Sequence, residues 1–296
     1  MKKIRLSPFV FKVKGAKNYA FFDLLNRRLF QAGPEGDIEE VKMFLLKKEL
    51  AYDTESVIPF KFHVDISNYQ GKVTLRELQI RVTGRCNEAC RECGEPCRCF
   101  QGGGDISKET LHLLIEQLKN VPVHEVVITG GDPLLRPSEI NMIKQGIPAK
   151  KFKILSGKNI EKENSERLKR MGFEIATSHR LVRKITESKI NTDAFSFFYN
   201  QEFNPCWGNT VAVDVDGSIK PCLWAGYSLG NIHKKKISDL IIDGEFEYYW
   251  GLTKDKIETC MNCEYRYGCF DCRVLAYSDT GCMDSKTVGC NYNPAE

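Results

Sequence analysis

Apolar and polar positions along the chain change rhythm several times. Phe9-Val10-Phe11-Lys12-Val13 alternates, Tyr19–Asp23 follows a turn at Gly15–Asn18, and Leu29-Phe30-Gln31 follows Asn26-Arg27-Arg28. One alternating run and two apolar runs that follow turn residues predict two or three short antiparallel strands. Gly36-Asp37 then opens a helix, with Asp37 as N-cap and Ile38, Val41, Phe44 and Leu45 on one face. Residues 51–75 read as a connection with Pro59 and a strand at Phe60–Ile66. From Leu78 strands and helices alternate. Leu78–Val82, Glu125–Thr129, Phe152–Leu155, Phe173–Ala176 and Ala194–Phe198 are the expected strands. Leu111, Leu114, Ile115 and Leu118 form a helical stripe, Ile140 and Ile143 sit on a short helix, and Glu161–Met171 is helical up to Gly172. Such alternation predicts an α/β fold with a parallel sheet and ligands at the C-terminal ends of its strands.

The chain has 296 residues, enough for one large core or two modest ones. The formal net charge of +4 is small, and the one basic run, Lys234-Lys235-Lys236, reads as a solvated turn. Nothing here demands a nucleic-acid or membrane partner, and no apolar run approaches the ~20 residues that span a bilayer. The start, Met1-Lys2-Lys3-Ile4-Arg5, lacks the apolar core of a signal peptide, so a cytoplasmic protein is expected. Cysteine use changes the picture most. Of thirteen cysteines, five lie between Cys86 and Cys99 and eight between Cys206 and Cys290. A disulfide scaffold belongs to small exported domains, so metal binding in a reducing compartment is favoured.

Cys86, Cys90 and Cys93 stand at C-x3-C-x2-C just after the Leu78–Val82 strand. Three thiolates hold three irons of a 4Fe–4S cubane and leave the fourth open. The other reading is a zinc knuckle, which needs four ligands. The loop resembles the cluster loop of the radical S-adenosyl-L-methionine (SAM) enzymes, in which SAM occupies the open iron. One strand later comes Ile128-Thr129-Gly130-Gly131-Asp132-Pro133-Leu134. It is similar to the family's Gly-Gly-Glu-Pro turn, which binds the SAM amino group. Asp132 would be either a shorter carboxylate for that task or part of a backbone-led variant. Ser156 and Gly157 after the third strand are positional candidates for the ribose of SAM, and Ser178 and Arg180 after the fourth for its ribose or carboxylate. The residue before the third cysteine is usually aromatic in this family and here is Glu92, which moves the adenine contact elsewhere, with Phe100 a candidate. Cys97 and Cys99 are additional thiols, read as redox-prone bystanders ahead of structural thiols or alternative ligands.

The C-terminal cysteines add a second pattern. Thr210–Asp214 and Ile219–Cys222 form a hairpin around Asp216-Gly217, then comes Leu229-Gly230-Asn231-Ile232. Cys260, Cys263, Cys269 and Cys272 follow at C-x2-C-x5-C-x2-C, and Cys290-Asn291-Tyr292-Asn293-Pro294 comes last. C-x2-C pairs alone would suit zinc ribbons. The whole set resembles the SPASM domain, an auxiliary-cluster domain of peptide and sulfatase maturases. The resemblance implies an outer 4Fe–4S cluster on Cys260, Cys263, Cys269 and Cys290, and an inner one on Cys206, Cys222 and Cys272. The inner cluster then has either an open iron or Cys282 as a fourth ligand.

Cys93 and Cys206 leave room for about four further β–α steps at roughly 30 residues each. The expected fold is therefore a partial (β/α) barrel of five or six parallel strands. A small N-terminal β/α unit precedes it, and a cysteine-rich iron–sulfur domain follows. The expected domains are 1–75, loosely similar to small peptide-recognition units or else a cover for the barrel, then 76–203 and 204–296. The resemblance implies three 4Fe–4S clusters, a flavodoxin or ferredoxin reductant, and cleavage of SAM to methionine and a 5′-deoxyadenosyl radical that takes a hydrogen atom from the substrate. An open-sided barrel suits a large substrate. The reading is a maturase of a ribosomally made peptide that forms a thioether or carbon–carbon crosslink, with no catalytic side chain identified. A formylglycine-forming sulfatase maturase, a small-molecule radical SAM enzyme and a non-catalytic metal-binding protein are the other readings.

Overall fold

The computed structural model describes residues 4–33, 38–53, 60–71, 73–86, 104–156, 162–176, 185–186, 189–270 and 272–295. The chain forms two compact units, each assembled from separated segments. One comprises residues 1–67, 181–206 and 252–296, the other residues 68–180 and 207–251. Each unit draws on segments that a division along the sequence would separate.

In the first unit, β1 (Ile4–Leu6) pairs antiparallel with β5 (Ala51–Asp53). A three-stranded antiparallel sheet is built from β2 (Val10–Lys14), β3 (Tyr19–Asp23) and β4 (Arg28–Ala32). Helix α1 (Ile38–Lys47) follows. Val10, Phe21, Leu45, Leu50 and Ala51 form the core here, with Val41 and Phe44 packed on it. The helical spacing of Val41, Phe44 and Leu45 is thus used as expected; Asp37, the expected N-cap, lies outside the described residues.

Two expected strands are absent. Residues 60–66 form no strand; Phe62 instead donates its amide to the Pro8 carbonyl at 3.3 Å and packs its ring on Phe9 at 5.0 Å. The run Ala194–Phe198 is the start of helix α5 (Ala194–Glu202). Asp193 caps it, accepting from the Ser196 amide at 3.0 Å, and Phe197 packs on Phe11 and Phe22 at 5.2 and 5.0 Å. A good cap and aromatic packing on one face override the strand preference of an aromatic-rich run.

The second unit holds the large sheet. Its parallel strands are β6 (Leu75–Thr83), β7 (Val123–Gly130), β8 (Ala149–Leu155), β9 (Glu174–Ala176) and β10 (Thr210–Val213). β11 (Ser218–Lys220) and β12 (Gly230–Asn231) add antiparallel at one side, giving the order β12-β11-β10-β6-β7-β8-β9. The expected hairpin is therefore also part of the main sheet: β10 lies parallel to β6, with Val211 opposite Leu78. The fifth parallel strand is thus 210–213 and not 194–198. Helices α2 (Lys108–Leu118), α3 (Pro137–Gly146) and α4 (Lys162–Arg170) fill the crossovers. Leu78, Ile80 and Val82 on one face of β6 are fully buried, as are Val126, Ile128 and Ile154, and with Leu111, Leu114, Ile140 and Ile143 they make the core of this unit. α6 (Ile237–Ile242) and α7 (Glu247–Trp250) also belong to this unit, whereas α8 (Arg273–Thr280) belongs to the first. No described helix is long and apolar enough to cross a membrane.

Candidate functional site

The C-terminal ends of β7 and β8 carry Gly130, Gly131, Asp132 and Ser156, four of the residues expected to bind SAM. β6 runs out at Thr83, and the chain returns to the same place after residues 87–103. Thr83 bridges Asp105, Gly84 donates to the Gly104 carbonyl at 2.9 Å, and Ile106 donates to Val82 at 3.0 Å. The cysteine loop is therefore closed at its base. Cys86 is exposed at its start; Cys90, Glu92, Cys93, Cys97, Cys99 and Phe100 lie outside the described residues.

Asp105 is the hub of that base. Its carboxylate accepts from the Thr83 hydroxyl at 2.6 Å, from Arg85 Nε at 2.9 Å and from Arg136 Nη1 at 2.9 Å. Arg136 also reaches Glu139, which is 3% exposed and receives the Ser138 hydroxyl at 2.7 Å. The Thr83 hydrogen bond, with Arg85 and Arg136, holds Asp105 below the usual carboxylate range. Burial works against Glu139, but Ser138 and Arg136 bring it below that range as well. Neither Asp105 nor Arg136 was among the expected site residues. The available signals were Asp105 directly after Gly102-Gly103-Gly104, and the Arg136-Pro137-Ser138-Glu139 helix start.

The turn after β7 is laid against this base. Gly131 donates its amide to the Thr83 carbonyl at 2.9 Å and Asp132 to the Arg85 carbonyl at 2.7 Å. A Cβ on Gly130 would stand 2.6 Å from Thr83 O, and one on Gly131 2.2 Å from Arg85 O. Only glycine allows backbone to approach backbone this closely. Asp132 is buried and uses Oδ1 to accept from Leu134 N at 3.1 Å, capping the 3-10 turn Pro133–Leu135. After β8, Ser156 is 1% exposed, its amide donates to Ala176 O at 3.1 Å, and its hydroxyl has no partner among the described residues. Gly157, Ser178 and Arg180 lie outside the described residues.

The sheet face opposite its apolar core is polar and buried. Register places Glu77 beside Glu125, Gln79 beside Ala212 and Arg81 beside Thr129. Arg81 meets Asp214 at 3.2 Å, Lys220 meets the same carboxylate at 2.8 Å, Lys153 meets Glu125 at 2.7 Å, and Gln79 donates to Glu77 at 2.7 Å. Burial opposes the Asp214 charge, yet the Lys220 hydrogen bond, the Val215 amide and Arg81 lower its pKa. Buried charges persist only when paired in this way.

The first unit gathers most of the C-terminal cysteines. Cys260 opens a 3-10 turn, and Cys263 and Cys269 are half-buried beside it. Burial, with the charges of Cys269, Glu264 and Cys260, pushes the Cys263 thiol up to about 12. Cys290 is half-buried, donates its amide to Thr287 O at 3.1 Å, and forms a parallel bridge with Ile185. Cys272 is buried at the start of α8, whereas Cys282 is exposed beyond its C-terminus. Cys206, half-buried, donates its amide to Asn204 Oδ1 at 2.9 Å. Cys222, by contrast, is buried in the second unit. Among the described residues, no three His, Cys, Asp or Glu side chains converge as ligands of a single metal ion would. The corners of a cubane bind different irons, so its thiolates stand farther apart than the ligands of one ion.

The donor set fits iron–sulfur chemistry. Cys260, Cys263 and Cys269 lie close enough for their charges to repel, and a thiolate group of this kind is sustained by a cation that compensates it. The Ser156 hydroxyl, buried at a strand end without a partner among the described residues, fits a sugar hydroxyl.

Comparison with known proteins gives two family matches in order along the chain. A 4Fe-4S single cluster domain matches residues 75–175, and SPASM, an iron-sulfur cluster-binding domain, matches residues 206–264. A probable GTP 3′,8-cyclase of Methanosarcina mazei is 27% identical over 113 residues, 37% of this chain and 33% of that protein. An uncharacterized protein of Archaeoglobus fulgidus is 26% identical over 160 residues, 52% of this chain and 36% of its own. The chain thus spans about a third of the length of these relatives. Among solved structures, Streptococcus suis SuiB bound to S-adenosylmethionine is 12% identical with a TM-score of 0.46, covering 97% of this chain and 100% of that one. Native anSMEcpe with bound AdoMet is 13% identical with a TM-score of 0.48, covering 74% and 94%.

Proposed function

We propose that this iron–sulfur enzyme, a radical SAM protein with a SPASM domain, modifies a ribosomally made peptide by forming a thioether or carbon–carbon crosslink. The observation that carries the SAM site is the direct backbone bonding of the Gly130-Gly131-Asp132 turn to the base of the cysteine loop, through Thr83 and Arg85. The turn thereby lies against the base of the loop that would share its cofactor, which supports this reading.

Cys86, Cys90 and Cys93 would hold the cluster that binds SAM. When bound, the pair supplies a reductively generated 5′-deoxyadenosyl radical, and the protein supplies placement and exclusion of water. Gly130 and Gly131 would present backbone to the SAM amino group. Asp132 spends one oxygen on its own turn, which supports the backbone-led form of this contact. The Ser156 hydroxyl would meet the ribose, with Ser178 and Arg180 as further contacts. Asp105 and Arg136 would hold the base of the loop in register with the turn. Cys260, Cys263, Cys269 and Cys290 would carry an outer auxiliary cluster. Cys206, Cys222 and Cys272 would carry an inner one, with either an open iron or Cys282 as the fourth ligand. This makes three clusters, reduced by a flavodoxin or ferredoxin.

Among the described residues the large sheet ends in edge strands β9 and β12, which supports a large substrate. A second reading, a small nucleotide substrate, is favoured by the names of the curated relatives, which include two probable GTP 3′,8-cyclases. The two part in a single experiment. The reconstituted protein is incubated anaerobically with SAM, reductant and either GTP or a candidate short peptide sought in the neighbouring reading frames. Loss of two hydrogens from the peptide, by mass spectrometry, is expected. Conversion of GTP with an untouched peptide would replace the peptide reading by the nucleotide one.

A further inference from the structure

The N-terminal sheet and the cysteine quartet share one hydrogen-bond network within the first unit. Glu264, the residue after Cys263, is fully buried. Its Oε1 accepts from Gln31 Nε2 at 2.7 Å and from the Tyr292 hydroxyl. Gln31 also donates to the Tyr292 oxygen at 3.1 Å, and Asn18 Nδ2 donates to it at 3.3 Å. Backbone bonds run beside these: Ala16 N to Asn262 O at 2.8 Å, and Arg266 Nη1 to both Lys14 O at 2.8 Å and Cys263 O at 2.9 Å. Gly15 closes the join, since a Cβ there would fall 2.5 Å from Glu264 Oε2.

Two features make this more than a cover. A buried carboxylate costs several kcal/mol unless it is hydrogen-bonded, and an apolar residue would hold a sheet in place without that cost. The carboxylate also stands between two distant cysteine segments. Glu264 adjoins Cys263, while Tyr292 follows Cys290 by two residues and its carbonyl lies 3.9 Å from Cys290 Sγ. We infer that Gln31 and Tyr292, acting through Glu264, are positioning residues that set Cys263 and Cys290 relative to one another. This rests on the reading of Cys260, Cys263, Cys269 and Cys290 as one iron–sulfur site. The N-terminal sheet is then a working part of that site rather than a detachable cap.

The test uses the full chain, reconstituted anaerobically, with Cys86, Cys90 and Cys93 replaced by alanine so that only C-terminal iron is read. In Gln31→Ala and Tyr292→Phe, iron is expected to pass to a chelator about tenfold faster, equivalent to about 1.4 kcal/mol of local opening. The electron paramagnetic resonance signal of the reduced protein is expected to shift. Gln31→Lys, which keeps a donor facing Glu264, is expected to restore both. Parent-like iron retention and an unshifted signal in the two variants overturn the inference. If Gln31→Ala does not fold, Tyr292→Phe, which removes one hydroxyl, decides by the same two readouts. Cys263→Ala is the separate control: undiminished iron there overturns the cluster assignment itself rather than the positioning.

Discussion

Among the described residues, Asp105 concentrates more of the candidate site on one side chain than any expected residue does. It collects Thr83, Arg85 and Arg136, and so ties both ends of the cysteine loop to the start of α3. Asp105→Ala should cost about 1.5–3 kcal/mol, the range for hydrogen bonds to a charged group, and chemical denaturation will read it. Gly131→Ala should be worse for function than for folding, because its Cβ meets the Arg85 carbonyl and must push the turn off the loop base. A destabilisation of about 1–3 kcal/mol is expected from such overpacking, with loss of SAM binding in a titration. At this scale the sequence was only partly legible. Gly130, Gly131 and Asp132 announced themselves by type and spacing. Asp105 did not, because its partners Thr83, Arg85 and Arg136 come from two segments distant from it in sequence and no short motif holds them together.

Elements were more legible than their partners. Alternation marked β2, apolar runs following turn residues marked β3 and β4, and helical stripes marked α2 and α3. The run 194–198 misled because its aromatics suit a strand, although Asp193 three residues before Ser196 was a readable cap. Asp193→Ala should therefore cost about 1 kcal/mol in thermal unfolding, as loss of an N-cap does; an unchanged midpoint would count against that role. The pairing of β10 with β6 was not legible either. Four residues that look like one arm of a hairpin give no sign that their other edge meets a strand more than a hundred positions earlier.

Across the whole molecule, charge and cysteine placement set the expected behaviour. Asp23, Asp105, Glu139 and Asp214 all have pKa values lowered in the folded state. For Asp23, burial alone would raise it, and Asn26 and Arg28 outweigh that. A lowered folded pKa means that the unfolded chain binds protons more readily. The stabilisation is present above the unfolded value near ~4 and is lost as pH falls through the folded values. Denaturant midpoints should thus be flat from about pH 5 upward on this account and fall steeply below about pH 4. The two groups of cysteines make the larger claim, that a SAM-cleaving centre and C-terminal clusters coexist in one chain. The most direct measurement is anaerobic reconstitution followed by iron analysis and chromatography of the nucleoside products. About twelve irons per chain, three cubanes of four, and 5′-deoxyadenosine formed on reduction with SAM are predicted. Replacing Cys86, Cys90 and Cys93 together by alanine should abolish the nucleoside while about eight irons remain. A colourless, zinc-loaded protein that leaves SAM intact would contradict the account.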